Sequence, residues 1–172
     1  ITQVGSAAIH LTSCENCILE NNIIIQNKPG SFRGIYLPDR GGAEDGRTEN
    51  VTLRNNSIYV GPQATSFVFG LQLEGQADAG YVIVSNLMAL MTDSAQTCCL
   101  EQTFRGNPQG PYAVMDYNLC TSLETNLRFN WARAYPSLES WSTTTGLDTH
   151  SIQGAPQVIS LLADMVDLRP AN

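Results

Sequence analysis

The sequence predicts an all-β protein, a right-handed parallel β-helix of about four to five rungs closed by a short carboxy-terminal helix. Three observations lead to this prediction. Short strands with apolar residues at alternate positions recur along the chain, a second β-rich run that leads to an Asn follows each, and the unit returns after about 25 to 36 residues without an intervening helix. We expect rungs over residues 1–122 and a capping segment of the same domain over residues 123–172.

Four apolar pairs mark the first strand of each repeat. Successive side chains of a strand point to opposite faces, so an apolar residue at every second position indicates a strand with one buried face. The second members of the pairs are expected to form one inward stack, because only a consistent register keeps all four strands buried. The pairs are Ile9/Leu11, Ile35/Leu37, Leu71/Leu73 and Cys98/Leu100.

An Asn follows the second β-rich run of each repeat. Asn tolerates the left-handed backbone conformation that a tight turn demands, and stacked Asn side chains can hydrogen-bond to one another along a ladder. The sequence therefore predicts one corner of the coil at Asn22, Asn56, Asn86 and Asn118.

The carboxy-terminal segment carries helix signals. Pro136 in a first turn and Gly146 just past the end bracket about ten residues, and Leu138 and Trp141 share one face at i, i+3 spacing. A bare final strand would expose unpaired backbone groups and apolar side chains. We therefore expect this helix to cover the last rung.

Composition narrows the range of partners. The formal net charge is −7 and Lys28 is the only lysine, so a surface that neutralises phosphates is not expected and nucleic acid is not an expected partner. No apolar run reaches the roughly 18 residues that a membrane-spanning helix needs, so no membrane association is expected either.

The cysteines are expected to be free and buried. Their number, five, is odd, so at least one has no partner within the chain. Cys14 and Cys17 have the C-x-x-C spacing of redox and zinc sites, but no second such pair completes a metal set, and core packing is the simpler interpretation. The adjacent Cys98 and Cys99 are expected to point to opposite sides of their strand.

The repeat resembles the right-handed parallel β-helix proteins of the pectate-lyase-like superfamily, and residues 131–156 are similar to the segment that closes many bacterial members. The resemblance implies a substrate cleft along the first sheet between long loops, and an extracellular or periplasmic location. It leaves the reaction open, because the superfamily includes lyases, hydrolases, epimerases, adhesins and phage tailspikes. The catalytic motifs of polygalacturonases and pectate lyases do not occur in the chain, so none of their catalytic residues can be transferred.

With the leucines inward, alternation predicts two outward columns. One holds His10, Tyr36, Gln72 and Cys99, and the next holds Thr12, Pro38, Glu74 and Glu101. His10 and Tyr36, about one strand spacing apart, could abstract the C5 proton of a uronate and protonate the leaving oxygen. Arg33, Arg40 and Arg47 lie nearby in sequence, and one of them could neutralise the uronate carboxylate. The alternative is a solvated strand face with an ordinary His and Tyr.

Two further groups of side chains suggest chemistry. Glu74 and Glu101, if roughly 5 Å apart, would approach the separation of a retaining glycosidase pair, although both project from the same wall. The alternative is a solvated carboxylate ladder.

The acidic insertion over residues 39–49 could hold Ca²⁺ but lacks an EF-hand pattern, and a flexible solvated loop is the alternative. No other cofactor is expected. His150 is expected to hydrogen-bond within the cap.

Two functions follow from these expectations. The first is a carbohydrate-active β-helix that cleaves or binds an acidic or neutral polysaccharide, as part of a larger protein. The second is a non-catalytic structural or adhesion module. With little chain ahead of Ile9, we also expect the apolar cross-section of the first rung to be covered from elsewhere. In a longer parent protein upstream rungs would cover it, and in the isolated chain we expect a second copy to cover it in a two-fold dimer.

Overall fold

The computed structural model describes residues 1, 6–38, 48–74, 80–92, 94, 96–102, 112–122, 128–131, 133–154, 158–162 and 165–170. Within them the chain forms β-strands and one helix, α1 (Leu138–Thr145). The strands are β1 (Ala7–His10), β2 (Ile18–Glu20), β3 (Ile23–Gln26), β4 (Phe32–Leu37), β5 (Thr52–Arg54), β6 (Ser57–Val60), β7 (Phe67–Leu73), β8 (Tyr81–Val84), β9 (Leu87–Leu90), β10 (Gln96–Gln102), β11 (Tyr112–Asp116), β12 (Leu119–Ser122), β13 (Arg128–Trp131), β14 (Arg133–Tyr135), β15 (Ile152–Gln153), β16 (Val158–Leu162) and β17 (Met165–Pro170).

Three parallel sheets form the walls of a β-solenoid. The first sheet runs β1-β4-β7-β10-β13 and ends in the antiparallel β14, the second runs β2-β5-β8-β11, and the third runs β3-β6-β9-β12-β15. Each strand pairs with the equivalent strand of the next turn. The predicted parallel β-helix is therefore confirmed, with about three turns instead of the four to five rungs expected. The hairpin of β16 and β17 is antiparallel.

The inward stack of the first sheet is confirmed except for the alignment of its fourth strand. Leu71, Leu73 and Leu100 are fully buried, whereas Leu11 is partly buried against the core. Leu100 pairs with Leu71, and not with Leu73 as expected. A pattern of period two cannot distinguish registers that differ by two residues, since both put the same side chains inward.

The predicted Asn ladder is confirmed. The side-chain amide of Asn22 donates to Oδ1 of Asn56 at 2.9 Å, Asn56 donates to Asn86 at 3.0 Å, and Asn86 donates to Asn118 at 3.1 Å. Each Oδ1 also accepts the backbone N–H of the Asn in the preceding turn. The ladder thus satisfies buried polar groups at the corner between the second and third sheets.

The sequence predicted that the ladder Asn adopts the left-handed conformation at this corner. In the structure the residue before it does so instead. The positions with positive φ are Asn21 (58°), Asn55 (54°), Ser85 (57°) and Tyr117 (58°). The preceding residue makes the turn, so the next side chain can point inward and join the ladder.

Small and large side chains face each other across the core. A Cβ atom on Gly34 would lie 2.8 Å from Cδ1 of Ile58, and one on Gly70 would lie 2.8 Å from Sδ of Met88. In the next turn the same two positions are Cys99 and Cys120, which form a disulfide. The sheets therefore approach closely along this line, and two glycines and a covalent bond make that approach possible.

Most of the cysteines are paired, which corrects the expectation of free thiols. Cys14 and Cys17 form a disulfide with their Cα atoms 6.1 Å apart, and Cys99 joins Cys120 with a Cα separation of 6.2 Å. Both separations lie within the normal range for disulfides. Cys98 is free and buried, so the odd thiol predicted from the count is confirmed.

Helix α1 closes the carboxy-terminal part of the core. Ser137 caps its start by accepting the backbone N–H of Ser140, and Gly146 ends it in the left-handed conformation, so Pro136 lies before the cap instead of inside the first turn. The fully buried Trp141 stacks on Phe129 with ring centroids 5.9 Å apart. The predicted capping helix is confirmed. Among the described helical residues, none forms a segment long and apolar enough to cross a membrane.

Candidate functional site

The outer face of the first sheet brings together most of the side chains singled out from the sequence. The register places His10 beside Tyr36, Tyr36 beside Gln72, and Gln72 beside Glu101. On the next strand Glu101 pairs with Asn130. The outward column therefore ends in Glu101 and Asn130, and not in Cys99, which is turned into the core.

His10 and Tyr36 touch, as the sequence predicted. Their ring centroids lie 4.9 Å apart and the ring planes are inclined by 32°. His10 is exposed, whereas Tyr36 is half-buried. The two rings form one continuous aromatic surface at the amino-terminal end of the face.

Arg33 lies over the Tyr36 part of this surface. Its guanidinium carbon is 5.1 Å from the ring centroid of Tyr36 and 4.5 Å from that of Phe67, and its Nε donates a hydrogen bond to Oε1 of Gln72. Cation–π contacts with two rings hold the guanidinium in position. Phe67 in turn stacks on Phe69 at 5.0 Å. Sequence reasoning missed both phenylalanines, because strict alternation would put them on the same inward face as Leu71 and Leu73.

The acidic side chains occupy the other half of the face, in a different arrangement from the one expected. Glu101 lies beside Gln72, so Glu74 is displaced by two positions along its strand and does not face Glu101. Nε2 of Gln72 donates to Glu74 at 3.2 Å, and Nδ2 of Asn130 donates to Glu101 at 2.5 Å. The directly opposed carboxylate pair of the glycosidase hypothesis is therefore not formed, because of the shifted register of β10.

Cys98 lies under the acidic end of this face. Nδ2 of Asn130 contacts its Sγ at 3.5 Å. Burial, and next the negative charge of Glu101, raise the pKa of Cys98 to about 12. The thiolate is the nucleophilic form of cysteine, so the raised pKa and the burial of Cys98 disfavour its reaction at neutral pH.

Some of the predicted site residues lie outside the described residues. These are Arg40, Arg47 and most of the acidic insertion, residues 39–47. The Ca²⁺ site therefore stays a prediction. In the described part of the chain, no three His, Cys, Asp or Glu side chains cluster as metal ligands would.

A second polar cluster lies at the Asn corner of the last turn. Asp116 accepts the backbone N–H of His150 at 2.7 Å, and its other oxygen lies 2.6 Å from Nδ1 of the same residue. The rings of Tyr117 and His150 stack with centroids 5.1 Å apart. Burial would raise the pKa of Asp116, but the hydrogen bonds from the side chain and main chain of His150 outweigh it and lower that pKa. His150 thus hydrogen-bonds the carboxy-terminal segment to the last turn, as the sequence predicted.

No known protein family, curated protein or solved structure matches this chain significantly.

Proposed function

We propose that this chain binds an extended polysaccharide along the outer face of its first sheet. The observation that carries the proposal is the unbroken row of aromatic and polar side chains on that face. It runs through His10, Tyr36, Arg33, Phe67, Phe69, Gln72, Glu74, Glu101 and Asn130.

The row has the chemistry that a sugar chain requires. Aromatic rings such as Tyr36 and Phe67 offer flat surfaces for the C–H faces of sugar rings, while amides and carboxylates such as Gln72 and Glu101 hydrogen-bond hydroxyls. Neighbouring strands lie about 4.8 Å apart, so five strands extend the row over roughly 19 Å. That length accommodates several sugar units of a linear polymer.

Cleavage is the more demanding version of this function. In the lyase hypothesis His10 removes the C5 proton, Tyr36 protonates the leaving oxygen and Arg33 binds the uronate carboxylate. The contact between His10 and Tyr36 and the position of Arg33 over the Tyr36 ring support keeping these three residues together in the hypothesis. The missing family motifs lead us to expect at most weak cleavage.

The disulfides support an extracellular or periplasmic location. Two disulfides within one chain are typical of oxidising compartments and rare in the cytosol. This argument is independent of the resemblance in sequence.

The binding proposal is tested with two matched arginine substitutions. Arg33→Gln removes the guanidinium from the candidate face, whereas Arg54→Gln removes an exposed arginine that pairs with Glu20 on the second sheet. Using isothermal titration calorimetry with alginate, pectin and neutral glucans, we expect Arg33→Gln to weaken binding by about tenfold or more and Arg54→Gln to leave it unchanged. Equal affinities for both variants and the wild type would refute this face as the site.

The same polymers test for cleavage. Release of an unsaturated product is followed by its ultraviolet absorbance, and we expect little or none. Strong absorbance would overturn the expectation of weak cleavage, and in that case His10→Ala and Tyr36→Phe should each abolish it.

A structural or adhesion module is the second candidate. It is favoured by exposed aliphatic side chains on the outer faces of the second and third sheets, since exposed apolar surface marks protein contacts. These residues are Ile18, Ile23, Val114 and Ile152. Absence of polysaccharide binding together with concentration-dependent self-association would favour this candidate.

A further inference from the structure

Tyr117 has an unusual backbone conformation for so large a side chain. Its φ is 58°, whereas the same corner position holds Asn21, Asn55 and Ser85 in the other turns. Asn tolerates the left-handed region, but a bulky aromatic residue there is an outlier that costs conformational energy. Residues held in such conformations are concentrated at functional sites.

Burial does not offset this cost. Tyr117 is 62% exposed, which makes it one of the most exposed large apolar side chains among the described residues. Among the described residues, the ring of Tyr117 stacks on that of His150, with ring planes that differ by only 10°. Most of the phenol ring therefore faces solvent, although the backbone beneath it is strained.

The neighbouring His150 has a fixed orientation. Asp116 holds its backbone N–H and its Nδ1, and Oδ1 of Asp116 also accepts the backbone N–H of Tyr117 at 2.9 Å. In a neutral imidazole the proton lies on Nδ1, facing the carboxylate, so Nε2 carries the free lone pair. Among the described residues none hydrogen-bonds to Nε2, which leaves it available to accept a hydrogen bond.

We propose that Tyr117 and His150 form a second carbohydrate-binding platform, in which a sugar ring stacks on Tyr117 and one of its hydroxyls donates to Nε2 of His150. The ligand class rests on the proposed function, but the site is separate, because Tyr117 lies at the corner between the second and third sheets and not on the outer face of the first. The strained backbone aims the ring outward, and Asp116 fixes the tautomer that accepts the hydroxyl.

The decisive variant is Tyr117→Asn, which restores the residue type found at Asn21 and Asn55. Because Asn accepts this φ, we expect the unfolding midpoint to stay the same or rise, while polysaccharide binding measured by calorimetry weakens about tenfold or loses one class of sites. Tyr117→Phe keeps the ring and should retain binding.

The outcomes separate the two proposals. If Tyr117→Asn binds polysaccharide as the wild type does, the platform is refuted. If, in addition, its unfolding midpoint is lower, the ring only stabilises the closing turn. Loss of binding in Tyr117→Phe as well as in Tyr117→Asn would refute stacking. If Tyr117→Asn weakens binding and Arg33→Gln does not, the Tyr117 platform is supported and the first-sheet face is refuted as a binding site. A wild type that binds none of the polymers refutes both.

Discussion

At the residue scale, the Asn ladder has a direction that decides how it ends. Each Asn side chain of the ladder donates one N–H to the Asn of the following turn, so the last one, Asn118, needs another acceptor. Asp148 fills this place, 2.9 Å from Nδ2 of Asn118, and a carboxylate has acceptor oxygens only. It also accepts from Nε1 of Trp141 at 2.9 Å and from Oγ of Ser151 at 2.5 Å. One buried carboxylate therefore joins the ladder to the capping helix.

Removing this carboxylate should destabilise the fold. Asp148→Ala removes the acceptor of one Asn118 amide N–H, whose other N–H still donates to Ile83, and the acceptor of the Trp141 indole N–H, at a cost of roughly 1 to 3 kcal/mol for each buried donor. Asp148 has a φ of 54°, so Asp148→Gly serves as the control that relieves backbone strain while still lacking the carboxylate. Both variants should unfold at lower urea concentration. If the glycine variant is as stable as the wild type, Asp148 affects stability through its backbone conformation and not through its hydrogen bonds.

The lowered pKa of Asp116 predicts a pH dependence. A carboxyl with a lower pKa in the folded state contributes stability above its unfolded pKa and loses that contribution as the pH falls through the folded value. The wild type should therefore lose stability below about pH 4, and Asp116→Asn should lose less over the same interval. Urea unfolding at a series of pH values measures this, with the exposed Glu139→Gln as the control. Parallel pH profiles for wild type and Asp116→Asn would contradict it.

At the element scale, the distance between facing sheets is set by what points into the core at each position. Gly34 and Gly70 leave room for Ile58 and Met88, and in the following turn a disulfide occupies the equivalent space. Protein interiors are packed closely enough that one added methyl group lowers stability.

A methyl group at Gly34 should therefore be costly. Its Cβ would lie 2.5 Å from the backbone oxygen of Gly70, which cannot move without disturbing the pairing of β4 and β7. We expect Gly34→Ala to lower the free energy of unfolding by about 1 to 3 kcal/mol. Gly154→Ala is the matched control, because nothing lies within 4 Å of its added Cβ. Equal losses for both variants would show that the close approach is not tight.

The disulfide pattern predicts a thiol count. Under denaturing conditions without reductant, a thiol reagent should modify one cysteine per chain, Cys98, and after reduction it should modify all five. Cys98→Ser should reduce the first count to zero. More than one reactive thiol before reduction would mean that at least one of the two bonds, Cys14 to Cys17 or Cys99 to Cys120, is not formed.

At the scale of the whole molecule, the two ends of the coil differ. Helix α1 and Asp148 close the carboxy-terminal end. In the first turn, by contrast, Ile9, Leu11 and Leu19 are only partly buried against the core. The main chain of Ile1 pairs beside β3, donating to Ile23 and accepting from Ile25, so part of the third sheet's edge is covered.

This difference underlies the predicted two-fold dimer through the first turn. Association of two such ends would bury the half-exposed side chains, which is the ordinary driving force for pairing. Light scattering over a range of concentrations should show a dimer at micromolar protein, weakened by Leu11→Ser and unaffected by Ile152→Ser on the last turn. A stable monomer that binds no hydrophobic dye would rule the dimer out.

The sequence by itself determined the repeat. Strand alternation and recurring Asn report local geometry, so they predicted the coil, the inward leucines, the ladder at Asn22 through Asn118, and the helix around Trp141. The adjacency of His10 and Tyr36 followed from the same repeat, because equivalent positions in successive turns become neighbours.

Only the tertiary structure decided what depends on contacts between turns. A period of two leaves a two-residue shift of β10 undetermined, so the true neighbour of Gln72, Glu101, could not be known from the pattern. The Cys99 to Cys120 disulfide, the contact of Arg33 with Phe67 and the closing of the ladder by Asp148 all join residues far apart in sequence. No local periodicity encodes such pairs, because they exist only when the core packs.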